Sequence, residues 1–286
     1  GTAPCTKLGN GTLTLYGVNT YTNVTTVNSG KLVGVTGGSS ASSAVTVSSG
    51  TGNTLGVSIT DNTKPWGCAN LTFSSGTTAL EFNFGLVTPS ATLAPLKING
   101  SLAFNSTPAV TVRGFSLPVG TYPLMTWSGT RSGTAPTTVA LPSRVSGYLS
   151  VSGSTNYLTI TASTQPLRWA VDGDGTWDIS TTRNWKDSAG TDTYYLETAT
   201  SGDSVLLDET YVTSSPTITL DSTVSPAGVT VTNATRNYTV SGTGAISGGT
   251  GLIKQGDGTL TLKTTNTYSG VTAINGGTLS VATLAN

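Results

Sequence analysis

Short alternations of apolar and polar residues run through the chain, and glycine, asparagine and threonine separate them. The segment T-L-T-L at 12–15 shows the pattern, because in an extended strand Leu13 and Leu15 point to one face and the threonines to the other. The same alternation recurs in A-L-E-F-N-F at 79–84 and in Y-L-T-I-T at 157–161. No stretch shows the period of about 3.6 residues that marks an amphipathic helix. The pattern therefore predicts an all-β protein.

The clearest regularity is a stretch that occurs near both ends of the chain. Residues 7–34 read K-L-G-N-G-T-L-T-L-Y-G-V-N-T-Y-T-N-V-T-T-V-N-S-G-K-L-V-G, and residues 254–281 read K-Q-G-D-G-T-L-T-L-K-T-T-N-T-Y-S-G-V-T-A-I-N-G-G-T-L-S-V. The two copies align without a gap at an offset of 247. The shared positions include Gly9/Gly256, Gly11/Gly258, Leu13/Leu260, Leu15/Leu262, Asn19/Asn266, Tyr21/Tyr268, Val24/Val271, Asn28/Asn275, Gly30/Gly277 and Leu32/Leu279. Strands this short need a neighbour stacked above or below, so the repeat predicts a β-solenoid.

The regularity of the pattern divides the chain into three predicted regions. Residues 1–60 are predicted to form N-terminal solenoid rungs that include the first repeat copy. Residues 61–165 are predicted to form a less regular β-rich middle, either hairpin-like or sandwich-like, with a hairpin signal between the strands at 148–151 and 157–161. Residues 166–286 are predicted to be an acidic strand region that leads into the C-terminal solenoid repeat.

Composition adds a charge asymmetry to this picture. Only 9% of the 286 residues are charged and the net charge is zero. Residues 1–171 carry eight bases and two acids, a net charge of +6, whereas residues 172–286 carry five bases and eleven acids, a net charge of −6. The asymmetry is either a drift in surface composition or a polarity that steers head-to-tail contact between copies.

The two cysteines, Cys5 and Cys68, are far apart in the sequence and belong to no metal-ligand cluster. A disulfide formed in an oxidising compartment is the simplest use for them. Sequence does not give connectivity, so the bond is predicted either within one subunit or across to a neighbour.

The absence of histidine excludes Ser-His-Asp and Cys-His catalysis and histidine-bound metals. The turn D-G-D-G-T-W-D is a candidate calcium site through Asp172, Asp174 and Asp178, because calcium prefers oxygen ligands at alternate positions; the other interpretation is a solvated acidic turn. No further cofactor is expected. Sparse basic residues argue against nucleic acid, and the chain has no apolar run of about 18 residues that would span a membrane.

The C-terminal copy at 254–281 resembles the autotransporter-associated β-strand repeat of large bacterial surface proteins, roughly G-x-G-T-L-T-L-x-x-x-N-T-Y-x-G-x-T-x-I-x-x-G-T-L. The copy at 7–34 departs from the pattern at Asn23, where the family usually has glycine, and at Lys31, where it usually has threonine. The stretch W-D-I-S-T-T-R-N-W at 177–185 also resembles segments that precede these repeats. The resemblance implies a parallel β-helix that is secreted and displayed at the cell surface, and it implies no enzymatic activity.

A repeat that opens and closes the chain indicates an extracellular structural subunit of a surface filament or layer. Reading from Asn286 into a second Gly1 continues the repeat rhythm, so we expect either a head-to-tail homopolymer or one slice of a tandem array. The residues predicted to mediate self-association are the apolar and aromatic residues of the two copies: Leu13, Leu15, Tyr21, Val24, Leu32, Leu260, Leu262, Tyr268, Val271, Leu279 and Val281.

Two other functions are compatible with the same pattern. The first is an adhesin passenger whose middle region binds a host surface or a glycan, with Trp66 either stacking on a sugar or packing in the core. The second is a polysaccharide lyase, which needs paired carboxylates; Asp203, Asp208 and Glu209 are the nearest candidates.

Overall fold

A computed structural model describes residues 1–85, 87–163, 166–198 and 201–282. All of the regular elements in these ranges are β-strands. No helix in the described part of the chain has the length and hydrophobicity needed to cross a membrane. The chain forms two compact units. Unit 1 comprises Gly1–Arg113, Leu117–Leu141 and Ser146–Ala162; unit 2 comprises Gly114–Ser116, Pro142–Val145 and Ser163–Asn286.

The first 17 strands build the sheets of unit 1. They are β1 Cys5–Lys7, β2 Thr12–Leu15, β3 Thr25–Val27, β4 Lys31–Val35, β5 Ser39–Ser40, β6 Val45–Val47, β7 Thr54–Ser58, β8 Trp66–Cys68, β9 Leu71–Phe73, β10 Ala79–Asn83, β11 Leu96–Ile98, β12 Leu102–Phe104, β13 Ala109–Arg113, β14 Gly120–Trp127, β15 Arg131–Gly133, β16 Val145–Ser152 and β17 Thr155–Ser163.

Unit 1 is a parallel β-helix with three sheets. Successive strands pass in turn to the first sheet (β1-β3-β6-β9-β12-β15), the second (β2-β4-β7-β10-β13) and the third (β5-β8-β11-β14-β17-β16). From β3 to β14 each coil places one strand on each face, and the strands pair in parallel with those of the next coil. The predicted parallel β-helix is confirmed.

Inward-facing side chains of unit 1 stack in columns along the coil. Leu32, Leu55 and Leu80 lie directly above one another in the second sheet, and each is completely buried. In the first sheet the Phe73 and Phe104 rings stack with centroids 5.7 Å apart. Such columns are what the alternating pattern encodes, because every second residue of a strand faces the interior.

The coil continues through the region predicted to be irregular. β7 pairs with β10 over five residues in parallel register, so no break appears at residue 60. Trp66 is fully buried in β8, which confirms the core interpretation of this residue. Parallel stacking ends only where β17 pairs antiparallel with β14, and the predicted hairpin strands lie in β16 and β17, which are neighbours in the sheet.

Unit 2 contains the remaining strands in two sheets. They are β18 Leu167–Trp169, β19 Gly175–Thr176, β20 Trp185–Lys186, β21 Asp192–Thr193, β22 Val205–Leu207, β23 Thr217–Thr219, β24 Val229–Thr232, β25 Tyr238–Ser241, β26 Leu252–Gln255, β27 Thr259–Leu262, β28 Thr272–Ile274 and β29 Thr278–Val281. The sheet orders are β21-β20-β18-β22-β24-β26-β28 and β19-β23-β25-β27-β29. Parallel pairing resumes with β18 on β22 and β19 on β23, and it continues to β28 and β29.

A cluster of aromatic rings fills the start of unit 2. Trp177 and Trp185 pack edge to face with centroids 5.2 Å apart, and Trp169 and Tyr195 extend the cluster. All four are fully buried. Edge-to-face contacts of this kind stabilise a core beyond the apolar area they bury.

Candidate functional site

The two copies of the repeat have the same local structure. Each copy forms two rungs, where a rung is a pair of strands joined by a glycine-rich turn: β1–β2 and β3–β4 in the first copy, and β26–β27 and β28–β29 in the second. Cys5 pairs with Thr25 in the first copy, and Leu252 pairs with Thr272 in the second, which is the same register at the offset of 247. The second strands of the rungs correspond in the same way.

A buried lysine fastens the turn in each copy. The Lys7 ammonium donates to the carbonyl oxygens of Leu8 (2.7 Å), Gly9 (2.6 Å) and Ser29 (3.1 Å). The Lys254 ammonium donates to the carbonyl oxygens of Gln255 (2.8 Å), Gly256 (2.7 Å) and Gly276 (3.4 Å). Lys254 has no exposed surface, and burial lowers its pKa. Each ammonium therefore binds its own turn to the turn of the next rung, a role that the sequence interpretation missed.

Two further contacts recur in both copies. The hydroxyls of Tyr21 and Thr25 lie 2.9 Å apart, as do those of Tyr268 and Thr272. Gly30 has φ = 72°, and a Cβ there would lie 2.4 Å from a carbonyl oxygen of the preceding turn. Its counterpart Gly277 has φ = 66°, and a Cβ there would lie 2.3 Å from the carbonyl oxygen of Gly256. Only glycine fits at this turn position.

One rung of each copy lies at the edge of its unit. β1 and β2, here called the N-terminal edge rung, are the last strands of two sheets of unit 1. β28 and β29, here called the C-terminal edge rung, are the last strands of the two sheets of unit 2. Each of these rungs pairs with its own chain on one side, and no described strand pairs with its other side.

The predicted self-association residues divide between these edges and the covered rungs. Leu32, Leu260 and Leu262 are buried by their own chain and do not lie on an open edge. The remaining residues are half-buried or exposed at or beside the edge rungs: Leu13, Leu15, Tyr21, Val24, Tyr268, Val271, Leu279 and Val281.

Sequence interpretation missed several exposed apolar residues beside the same edges. Leu8, Tyr16 and Val18 flank the N-terminal edge rung and are at least 67% exposed. Ile274, in the C-terminal edge rung, is 56% exposed. Alignment of the two copies was the signal that could have identified Ile274, because it places this residue at the position of the buried Val27.

The predicted calcium site is not supported. Asp172 accepts hydrogen bonds from the backbone and side chains of Thr213 and Ser214, which lower its pKa. Asp178 accepts hydrogen bonds from Thr181 and Thr182, whereas Asp174 is exposed. Within the described ranges no group of three or more His, Cys, Asp or Glu side chains could hold a metal ion. The carboxylates fasten separate loops instead of meeting at one point.

The predicted disulfide within one subunit is not supported. Cys5 and Cys68 are free thiols in different sheets, the first in the edge strand β1 and the second in β8. Cys68 is fully buried, so it cannot reach a neighbouring molecule, and burial raises its pKa to about 12. The thiol therefore remains protonated and packs as a small apolar side chain.

The acids considered for a lyase serve structural contacts. Asp203 is completely buried and pairs with Arg144 at 3.1 Å. Asp208 pairs with Arg168. Glu209 accepts hydrogen bonds from three successive backbone amides at 234–236, foremost that of Arg236, and these lower its pKa to about 2.

Comparison with known proteins identifies the repeat. The passenger-associated-transport repeat matches residues 6–33 and 252–281, the two stretches with the common rung structure. No curated protein and no solved structure matches the chain. The match confirms the resemblance seen in the sequence. The chain thus carries two passenger repeats of the autotransporter type on an all-β parallel solenoid, and this repeat family implies a secreted or cell-surface protein.

Proposed function

We propose that this protein is an extracellular structural subunit that assembles head to tail by stacking its C-terminal edge rung on the N-terminal edge rung of a second copy. One observation carries the proposal. Both edge rungs belong to the same repeat, and the other rung of each copy is covered by a parallel strand of the chain itself, since β24 pairs with β26 and β6 pairs with β3. The assembly would build a surface filament or layer. The proposal requires no catalytic activity and no cofactor.

Physical chemistry favours pairing of such edges. An edge strand presents a row of unpaired N–H and C=O groups, which readily accept a further strand. The edges here also expose apolar side chains, among them Ile274, which lies within the edge strand β28. Covering one side chain of this size contributes about 1.5–3 kcal/mol.

The opposite net charges of the two units favour the same head-to-tail order of the copies. Unit 1 carries six Lys or Arg and two Asp or Glu, a net charge of +4; unit 2 carries seven and eleven, a net charge of −4. Contact between unit 1 of one copy and unit 2 of another brings opposite charges together, which raises the association rate at low ionic strength.

Sedimentation velocity over a range of protein concentrations tests the proposal. We expect species larger than the monomer that increase with concentration, and slower association as salt is added. A monomer that persists at the highest attainable concentration would overturn the proposal and leave the adhesin interpretation, which binding of the isolated protein to a glycan array would then examine.

A further inference from the structure

We infer that the joint between copies has one register, in which β28 of one copy pairs in parallel with β1 of the next so that Ile274 lies against Lys7, and β29 pairs with β2 so that Leu279 lies against Leu13. The inference rests on the proposed head-to-tail assembly and adds the pairing of individual residues. Unit 2 supplies the template, because there β24 and β25 cover the first rung of the second repeat copy.

The first strands of the rungs show how the template applies. In unit 2, Val231, Lys254 and Ile274 form one inward-facing column, with the lysine between two β-branched residues. In unit 1, Val27 follows Lys7 at the corresponding position, and no described strand pairs with the other side of β1. Ile274 of a second copy would lie on that side, and Lys7 would again lie between two β-branched residues.

The second strands of the rungs indicate the same register. In unit 2, Tyr238, Leu260 and Leu279 form an inward-facing column, and Leu260 between them is completely buried. Leu13 is the counterpart of Leu260, and Leu32 follows it in unit 1. Leu13 is only half-buried, because no described strand pairs with β2 on the side that corresponds to Tyr238. In the inferred joint Leu279 takes that position and Val281 covers Leu15.

A shift of one residue is excluded by the alternation of the strands. It would place Ala273 against Lys7 and turn the Ile274 side chain to the outer face of the sheet. The apolar side chains of both strands would then leave the interior together. The inferred register is the one that continues all inward-facing columns.

Cross-linking through the native Cys5 tests the register. The joint places Thr272 opposite Cys5, and neighbouring strands lie about 4.8 Å apart, within the Cα range of roughly 4.4–6.8 Å for disulfides. Under mild oxidation Thr272→Cys should give a ladder of dimers and longer species on a non-reducing gel. Ala273→Cys is the matched control one residue away, and it should give no ladder. Cys68 does not compete, because it is buried.

Adding Cys5→Ser to the Thr272→Cys variant should abolish the ladder. Sedimentation of the same unoxidised variants separates this inference from the proposed function. Assembly without a Thr272→Cys ladder, or with an equal or stronger Ala273→Cys ladder, would overturn the register and leave head-to-tail assembly standing. Loss of both the ladder and the assembly in otherwise folded protein would overturn both.

Discussion

Val27 and Ile274 occupy the same position in the two copies of one repeat, yet Val27 has no exposed surface whereas 56% of Ile274 is exposed. The difference arises from the neighbouring strands. β6 covers the rung of Val27 and places Val47 against it, while β28 is the last strand of its sheet. The C-terminal edge rung is thus built like a covered rung, and its exposed isoleucine is the side chain that a further rung would bury.

Ile274→Asp should abolish assembly and leave the folded monomer intact. The side chain is exposed in the free chain, so the substitution should change the free energy of unfolding by no more than about 0.5 kcal/mol. In a joint it would remove about 1.5–3 kcal/mol of apolar burial, which weakens association at least about tenfold. Sedimentation velocity and thermal unfolding measure the two effects.

Val119→Asp is the matched control for this substitution. Val119 is 63% exposed, lies before β14 and belongs to neither edge rung, so its variant should assemble like the unmodified protein. If both variants impaired assembly equally, general charge repulsion would explain the loss, and the C-terminal edge rung would lose its assigned role.

Gly258→Ala should lower the free energy of unfolding, whereas Gly11→Ala at the corresponding position should not. The methyl group added at Gly258 would meet the buried Asn233 side chain, which donates to the Thr259 carbonyl at 3.1 Å. That variant should lose about 1–3 kcal/mol of unfolding free energy in urea. Among the described residues nothing lies within 4 Å of a methyl group added at Gly11, so that variant should unfold like the unmodified protein. Equal losses in the two variants would show that the Asn233 side chain does not set the cost of the added methyl group.

The repeat was predictable from sequence because both copies keep the same glycines and the same strand spacing. The continuation of the coil beyond residue 60 was not predictable, because the number of residues in one turn of the coil changes along the chain. One turn of the coil takes 20 residues from Thr25 to Val45 but 31 from Leu71 to Leu102. The strands stay aligned in space while the period in the sequence disappears, so the region between the repeats resembled an irregular middle.

The candidate site was predictable only in part, for a related reason. A repeat shows which residues face inward, but it does not show which rung is covered. Leu260 and Leu13 have the same sequence context, and only the structure distinguishes the buried residue from the half-buried one. The buried lysine was missed because its ammonium binds backbone carbonyls, and these partners leave no mark in the side-chain pattern.

Lys254→Met should destabilise the fold although the new side chain is apolar and similar in length. The substitution leaves the carbonyl oxygens of Gln255 and Gly256 without their ammonium donor, and hydrogen bonds to a charged group contribute about 1.5–3 kcal/mol. Urea unfolding should show a loss of that order. Lys263→Met is the control, because Lys263 is exposed, and its variant should change by less than about 0.5 kcal/mol. A Lys254→Met protein as stable as its control would show that the buried ammonium contributes no net stability.

Glu209 should make the stability of the protein depend on acid pH. The backbone amide of Arg236, together with those of Ala234 and Thr235, favours the ionised carboxylate and lowers its pKa from 4.5 to about 2 in the folded chain. A lowered folded pKa gives stability that is fully present above the ordinary value and is lost as the pH falls toward the folded value. This contribution should therefore disappear between about pH 4.5 and pH 2.

Glu209→Gln tests this pH dependence. At pH 7 the variant should unfold at a lower temperature, because the amide is a weaker acceptor for the three backbone amides and carries no charge for Arg236, whose guanidinium lies 3.1 Å from the carboxylate. As the pH approaches 2 the two melting temperatures should converge, since the glutamate is then protonated as well. Asp174→Asn, at an exposed carboxylate, should follow the unmodified protein throughout. A constant difference between Glu209→Gln and the unmodified protein across this range would show that the ionised carboxylate is not what holds the turn at 234–236.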